Sequence, residues 1–218
     1  MTQQPHHNPP DAEPTAPDVE RTAADRVIFF SDAVVAIAIT LLVLGLPLPH
    51  VSSHASNGAV LHALYSLRDA YLAFLISFVV IGAHWRTHHR LYRAVKGIDQ
   101  RLIALNMLWL LMIIITPYAT RLLYGNGGFG VRFSVYASIQ VITLLTVLLM
   151  SRHLRAAGLA SSDVHEPPGT DDAIILSAAA MFAVSIPIAF VTEWAFAFWV
   201  AAALGIRWVR RVQRWTRH

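Results

Sequence analysis

The feature that most constrains this chain is the grouping of its apolar residues into long runs. Six segments of roughly 20 residues carry almost no charge, and this is the length at which an α-helix crosses the hydrocarbon of a bilayer. Charged residues make up only 14% of the 218, and they lie between the runs. The pattern predicts an all-α, polytopic membrane protein with one unit of six transmembrane helices. The predicted spans are 27–47, 66–85, 102–120, 133–151, 173–191 and 194–210.

The remaining segments are polar and divide the chain into three parts. Residues 1–24 are proline-rich and partly acidic, which predicts a disordered tail. Residues 25–212 form the predicted transmembrane domain, and residues 213–218 form a basic end. With both termini in the cytoplasm, 14 of the 17 Lys and Arg residues fall in cytoplasmic segments. Arg68, Arg121 and Arg132 are the three on the other side.

This asymmetry follows the positive-inside rule, so we expect a multi-pass protein of the plasma (inner) membrane with both termini cytoplasmic. The net charge of +4 is then explained by topology and by the anionic lipids of the bilayer. No nucleic-acid partner is needed to account for it.

Several kinds of chemistry find no support in the sequence. The chain has no cysteine, and it lacks a Gly-x-Ser-x-Gly element and a phosphate-binding glycine-rich loop, so we expect no enzyme. His84 and His88 have the i, i+4 spacing of a metal site, with His89 beside them. However, residues 80–98 hold no carboxylate and several arginines, which favours a polar network and no metal.

Asp32 is the most informative single residue, because a carboxylate five positions into an apolar span costs several kcal/mol unless it has a partner or water. It follows Ser31 directly. Its position alone fits either an interfacial carboxylate near the headgroups or a member of a buried polar network.

The sequence around Asp32 resembles the signature of a known channel family. Residues 26–32 read RVIFFSD and residues 33–44 read AVVAIAITLLVL, while WRTHHRLY follows at 85–92 and Leu-Asn at 105–106. These elements are similar to those of the potassium channel family of animal transmembrane protein 175 and its prokaryotic relatives. The chain has the length of the single-unit prokaryotic form.

The resemblance implies a homotetrameric, leak-type channel that passes potassium in preference to sodium, with potassium as permeant and no cofactor. In the family, four copies of the first helix surround the conduction path. Ile37 would form the constriction with Leu41 and Leu44, and Thr40 would set selectivity. Ile37, Leu41 and Leu44 share one helical face, but periodicity alone favours lipid-facing or helix-packing residues, and only the resemblance assigns them to a pore.

The chain has no Thr-Val-Gly-Tyr-Gly stretch, so a potassium filter lined by carbonyl groups is not available in its usual form. A ring of isoleucines can instead close a pore by dewetting. The resemblance also assigns a polar network that holds the pore helix. Its expected members are Arg26, Phe30, Ser31, Asp32, Trp85, His88, His89 and Asn106.

A secondary transporter of a small cation or solute is the alternative that the residues leave open. Transporters often have broken helices and inverted repeats. Pro117 and Pro187 lie inside predicted spans, but the sequence shows no convincing internal repeat. No acidic residue lies near the centre of a predicted span, and a proton-coupled carrier would need one there.

Overall fold

The computed structural model describes residues 16–160 and 172–192, together with positions 195 and 199. Within these residues the regular structure is helical, apart from one isolated β-bridge between Val95 and Ala160. The helices are α1 (Ala16–Leu44), α2 (Asn57–Ser66), α3 (Arg68–Tyr92), α4 (Gln100–Leu123), α5 (Phe129–Ala156) and α6 (Asp172–Ala189).

Five of the described helices are long and apolar enough to cross a membrane: α3, α4, α5, α6 and the part of α1 from Ala24 to Leu44. They coincide with the first five predicted spans, although α3 continues to Tyr92, about two turns beyond the predicted end. The prediction of an all-α, polytopic membrane protein is therefore confirmed. The sixth predicted span, 194–210, lies outside the described residues except for positions 195 and 199.

The structure differs from the sequence prediction in two places. The first helix begins at Ala16, inside the segment 1–24 that we expected to be a disordered tail. Pro17 suits the first turn of a helix because its missing N–H has no intrahelical partner there, and Asp18 and Glu20 suit the positive end of the helix dipole. The second difference is α2, a ten-residue helix capped by the Ser56 side chain, which lies between two predicted spans.

The fourth long helix, α5, is the centre of the bundle. It packs most extensively against α4 and α6, and 56% of its most apolar stretch is buried, against 22% for α1. Its buried side chains include Phe133 and Tyr136, and Trp109 of α4 is also fully buried. The first helix packs only on α4 and α3, so it lies at the periphery of the described bundle.

The two connections predicted to be cytoplasmic meet at one end of the bundle. The Lys96 N–H donates to the carbonyl of Leu159 over 2.8 Å, next to the bridge between Val95 and Ala160. His153 Nε2 lies 2.6 Å from Asp99 Oδ2, and Asp99 Oδ1 accepts from the N–H of Leu102 over 2.8 Å as the N-cap of α4. The loops after α3 and α5 are therefore held together by both main-chain and side-chain contacts.

Asp99 makes the stability of this end pH-dependent. The Leu102 N–H that it caps, and beyond it His153, hold the pKa of the Asp99 carboxyl below its usual value. A carboxyl whose pKa is lowered by folding contributes stability above its unfolded pKa of about 4, and this contribution is lost as the pH falls through the folded pKa.

We expect Asp99→Asn to lower the melting temperature at neutral pH, and the difference from wild type to disappear as the pH falls below about 4. Asparagine is also a good N-cap, so this variant isolates the carboxylate charge from the cap. Thermal unfolding of the purified protein in detergent across this pH range measures the difference. Asp69→Asn is the control, since Asp69 is exposed and forms only a 3.7 Å ion pair with Arg68. A difference that stays constant with pH would contradict the assignment.

Candidate functional site

A chain of buried hydrogen bonds joins α1, α4 and α3 near the start of the membrane-spanning part of α1. Asn106 Nδ2 donates to Ser31 Oγ over 3.0 Å, and Ser31 Oγ donates to the carbonyl of Val27 over 2.8 Å. On the other side of the amide, His88 Nε2 lies 2.7 Å from Asn106 Oδ1. A carbonyl oxygen can only accept, so the Nε2 of His88 carries the proton and donates. The hydrogen bonds are therefore all donated in one direction, from His88 to Asn106 and from Asn106 to Ser31.

The ring of His88 is fixed by its neighbours as well as by its hydrogen bond. It stacks on the fully buried Trp109, with ring centroids 4.0 Å apart and planes 13° apart. Tyr92 stacks on it from one turn further along α3, at 4.4 Å. The imidazole that holds the Asn106 amide has little freedom to turn.

A second link between α1 and α3 runs through Asp32. The indole N–H of Trp85 donates to Asp32 Oδ1 over 2.8 Å, and the Trp85 ring stacks on His89 at 5.5 Å. Asp32 therefore has a partner on a neighbouring helix and is partly buried. We call Ser31, Asp32, Trp85, His88 and Asn106 the α1-anchoring network.

The structure does not bring all of the expected network residues together. Arg26 and Phe30 lie on the exposed face of α1, away from Ser31. Among the described residues, Arg26 makes no hydrogen bond or ion pair. His89 touches the network only through its stacking on Trp85, and its buried Nδ1 has no hydrogen-bond partner.

The anchoring network determines which face of α1 points away from the bundle. Ser31 is buried, and so are Val35, Ala38 and Leu42, which follow it at intervals of four, three and four residues along one face. The opposite face carries the residues predicted to line a pore. Ile37 is 58% exposed, Leu41 42% and Leu44 77% in the isolated chain.

Thr40 also lies on the exposed side of α1. Its Oγ1 donates to the carbonyl of Ile37 over 2.8 Å, a common arrangement for threonine in a membrane-spanning helix. Because the hydroxyl hydrogen is used inside the helix, the lone pairs of the oxygen remain available as acceptors on the exposed face.

A second polar cluster inside the bundle was not predicted from the sequence. Ser77 Oγ donates to the phenol oxygen of Tyr136 over 3.1 Å and lies 2.7 Å from Thr120 Oγ1, so the cluster joins α3, α5 and α4. Nearer the anchoring network, two turns further along α3 and one turn further along α5, His84 Nε2 donates to Gln140 Oε1 over 2.9 Å. The spacing of Tyr136, Gln140 and Thr143 along one face of α5 is the sequence signal that could have indicated it.

The same contacts bear on the histidines that have metal-site spacing. The Nε2 atoms of His84 and His88 each bind a different side-chain amide. Within the described part of the chain, no three His, Cys, Asp or Glu side chains approach closely enough to hold a metal ion.

A model of the family described as "Endosomal/lysosomal potassium channel TMEM175" matches residues 26–117, which contain the whole anchoring network and the exposed face of α1. A protein of Chamaesiphon minutus named a potassium channel is 36% identical over 141 residues, which are 63% of this chain and 69% of that protein. The chain belongs to the TMEM175 family.

A second TMEM175 relative, from Streptomyces collinus and also named a potassium channel, is 34% identical over 137 residues. The match covers 61% of this chain and 65% of that protein, just under two thirds of its length. Animal relatives are named endosomal/lysosomal proton channels, and the one from Gallus gallus is 37% identical over 108 residues, 47% of this chain and 22% of that protein. The resemblance inferred from the motifs is therefore confirmed.

The fold of the TMEM175 family is also found in this chain. A crystal structure described as a lysosomal potassium-selective channel TMEM175 homolog from Chamaesiphon minutus superposes with a TM-score of 0.68 at 28% identity. The superposition covers 85% of this chain and 98% of that one. The family is one of ion channels and not of enzymes.

The anchoring network predicts a ranking of two substitutions. We expect Asn106→Leu to lower the melting temperature more than Asp32→Ala, because the first removes two buried bonds and the second removes one half-exposed bond. Interhelical hydrogen bonds of this kind contribute about 0.6–2 kcal/mol each. Thermal unfolding of the purified protein in detergent measures both losses.

Asp32→Asn is the matched control for Asp32→Ala, since its Oδ1 can still accept from the Trp85 indole. It should retain most of the stability that Asp32→Ala loses. Equal losses in all three variants would show that the network does not anchor α1 through these bonds.

Proposed function

We propose that the chain is one subunit of a homotetrameric potassium channel in which four copies of α1 surround the pore. The observation that carries this proposal is the division of α1 into two faces. One face is held in the bundle by buried polar bonds, and the other exposes Ile37, Leu41 and Leu44 in the isolated subunit. A helix lying at the periphery of its own subunit can reach the axis of an assembly.

The proposed membrane topology rests on where the basic residues lie along the chain. The protein would be multi-pass in the plasma (inner) membrane with both termini cytoplasmic. Segments 86–101 and 152–160 meet at one end of the bundle, and they hold seven of the ten Lys and Arg residues between the first and the sixth predicted spans. The bilayer and the permeant potassium ions are then its required partners, and no cofactor is part of the mechanism.

Conduction would depend on a hydrophobic constriction. Four Ile37 side chains converging at the axis exclude water when the pore is narrow, and an ion cannot cross a dry segment because of the cost of losing its hydration. Leu41 and Leu44 extend this apolar surface toward the far end of α1. When the ring widens, ions pass with much of their water in place, so conduction needs no carbonyl filter.

Selectivity would come from Thr40, which lies almost one turn beyond Ile37. Its hydroxyl hydrogen is held by the Ile37 carbonyl at 2.8 Å, so four such residues would present four oxygen acceptors to a partly hydrated cation. Oxygen ligands that replace part of the first hydration shell favour potassium over sodium, because sodium holds its water more strongly. The relatives named potassium channels support this choice of permeant.

We expect Ile37→Asn to raise potassium flux from loaded liposomes, because an amide ring keeps the constriction hydrated. Ile114→Asn is the matched control. Ile114 of α4 is 50% exposed, against 58% for Ile37, and the substitution is chemically identical. Fast potassium release by wild type that changes only with Ile37 establishes the pore-lining helix.

If the assembled protein shows no potassium flux, or if Ile37→Asn leaves the flux unchanged, the pore assignment is wrong and a secondary transporter is favoured. The animal relatives named proton channels make a proton measurement necessary in the same liposomes. A pH-sensitive dye inside them reports whether protons accompany or replace potassium.

We expect Thr40→Val to reduce the preference for potassium over sodium toward one while conduction persists, since valine has nearly the same shape but no oxygen. Thr87→Val is the control. Thr87 of α3 also donates to its own helix, at 3.0 Å to the carbonyl of Ala83, but it lies outside α1. Reversal potentials under mixed potassium and sodium gradients measure the ratio, and an unchanged ratio in Thr40→Val would contradict the role of its hydroxyl.

A further inference from the structure

A cavity of about 620 Å³ lies at the end of the bundle opposite the anchoring network. It is formed where α1 and α4 end and α5 begins. Its lining combines apolar residues of the segment after α1 with two arginines and two tyrosines of α4, α5 and their connection. The lining includes Leu46, Pro47, Tyr118, Arg121, Tyr124 and Arg132.

The two arginines are the first observation that points to a ligand. The chain has only three basic residues toward this end, Arg68, Arg121 and Arg132, and two of them line one cavity. No acidic side chain is among the described residues that line it. Positive charge is depleted on this side of membrane proteins, so topology does not explain a pair of arginines here.

Neutralising helix ends accounts for only part of this charge. Arg132 Nη1 donates to the carbonyls of Leu122 and Leu123, at 3.2 and 2.6 Å, and so caps the end of α4. The carboxyl ends of α1 and α4 each carry roughly half a negative charge. Two arginines against two helix ends leave an excess of about one positive charge in the cavity.

Arg132 also has a donor that the protein does not use. Its Nε is buried and has no hydrogen-bond partner among the described residues, although buried donors are nearly always paired. Arg121 lies against the end of α1, where a side chain at Gly45 would meet its Cγ at 3.0 Å. The stem of Arg121 is therefore packed against this end of α1, and its guanidinium hydrogen-bonds with the hydroxyl of Tyr124.

Tyr124 adds a further polar group and connects the cavity to the first helix. Its hydroxyl donates to the carbonyl of Gly45, one residue beyond the end of α1. Burial raises the pKa of this phenol, so the hydroxyl remains protonated and remains a donor. The cavity wall is thus attached directly to the helix that we propose lines the pore.

We propose that this cavity binds a phosphate group through Arg121 and Arg132. Guanidinium groups match phosphate oxygens with paired N–H donors, and tyrosines favour the depth at which lipid headgroups lie. The apolar residues Leu46 and Pro47 would accommodate the glycerol and upper acyl chain of an anionic phospholipid. Free inorganic phosphate has the same recognition chemistry without that apolar part.

Binding to the purified full-length protein in detergent tests the proposal without any measurement of conduction, so its outcome is independent of the channel assignment. Short-chain phosphatidylglycerol and phosphatidylcholine are titrated separately, and bound lipid is counted by native mass spectrometry. We expect phosphatidylglycerol to bind at least about tenfold more tightly. Arg121→Gln should weaken that binding about tenfold or more, as the loss of a charge-assisted hydrogen bond does.

Arg68→Gln is the matched control, because Arg68 lies toward the same end but pairs with Asp69 and stacks on Tyr65 outside the cavity. Its affinity for phosphatidylglycerol should change less than about twofold. Arg121 is the better test residue, since Arg132 also caps α4. Equal binding of the two lipids, or equal losses in the two arginine variants, would overturn the site as a lipid site.

Sodium phosphate, compared with sodium chloride at equal ionic strength, distinguishes the two sources of the group. Stabilisation by phosphate that Arg121→Gln abolishes, with no preference for phosphatidylglycerol, supports the site with free phosphate as its ligand. Preference for phosphatidylglycerol that phosphate does not displace supports the lipid. The proposal is overturned if neither probe depends on Arg121.

Discussion

The orientation of α1 depends on the hydrogen-bond chain from His88 through Asn106 to Ser31. Water is absent from the hydrocarbon region, so a polar group there must be satisfied by protein. Turning α1 by even a quarter of a turn would separate Ser31 from Asn106 and leave the Asn106 Nδ2 without its acceptor. The same turn would move Ile37 away from the exposed face. A few buried polar atoms therefore decide which apolar side chains the subunit presents outward.

Polar contacts of this kind replace the hydrophobic effect as the source of specificity in the bundle. Lipid tails are as apolar as leucine, so burying leucine between helices gains little over leaving it in lipid. The described bundle accordingly has polar links at several depths: the anchoring network, His84 with Gln140, and Ser77 with Tyr136 and Thr120. The exposed surfaces of α1, α3 and α4 are rich in large apolar residues, as a bilayer requires.

The spans could be predicted from the sequence because a 20-residue apolar run has one main use in a protein. The members of the anchoring network were predicted from the family resemblance. The position of Asp32 by itself indicated only that its carboxylate needs a partner. The Ser77–Tyr136–Thr120 cluster could not be predicted, because serine and threonine are common in membrane helices. The two partners of Ser77 also lie 43 and 59 residues away from it in the sequence. The existence of α2 depends on a local cap, the Ser56 side chain, and one capping residue is a weak signal within a polar segment. The start of α1 at Ala16 lies in a proline-rich, polar segment whose composition favours disorder.

The two attachments of α1 limit how a pore built from it can open. Near the start of its membrane-spanning part the helix is bound to Asn106 of α4 and to Trp85 of α3. Just beyond its other end, Gly45 is bound to Tyr124, which follows α4 directly. Between these points only apolar side chains such as Val35, Ala38 and Leu42 face the bundle. Tilting α1 alone would break a polar bond at one end. A motion that widened the ring at Ile37 and kept both attachments would have to move α1 together with α4 and with α3 at Trp85. The constriction and the cavity at Arg121 would then change in the same step.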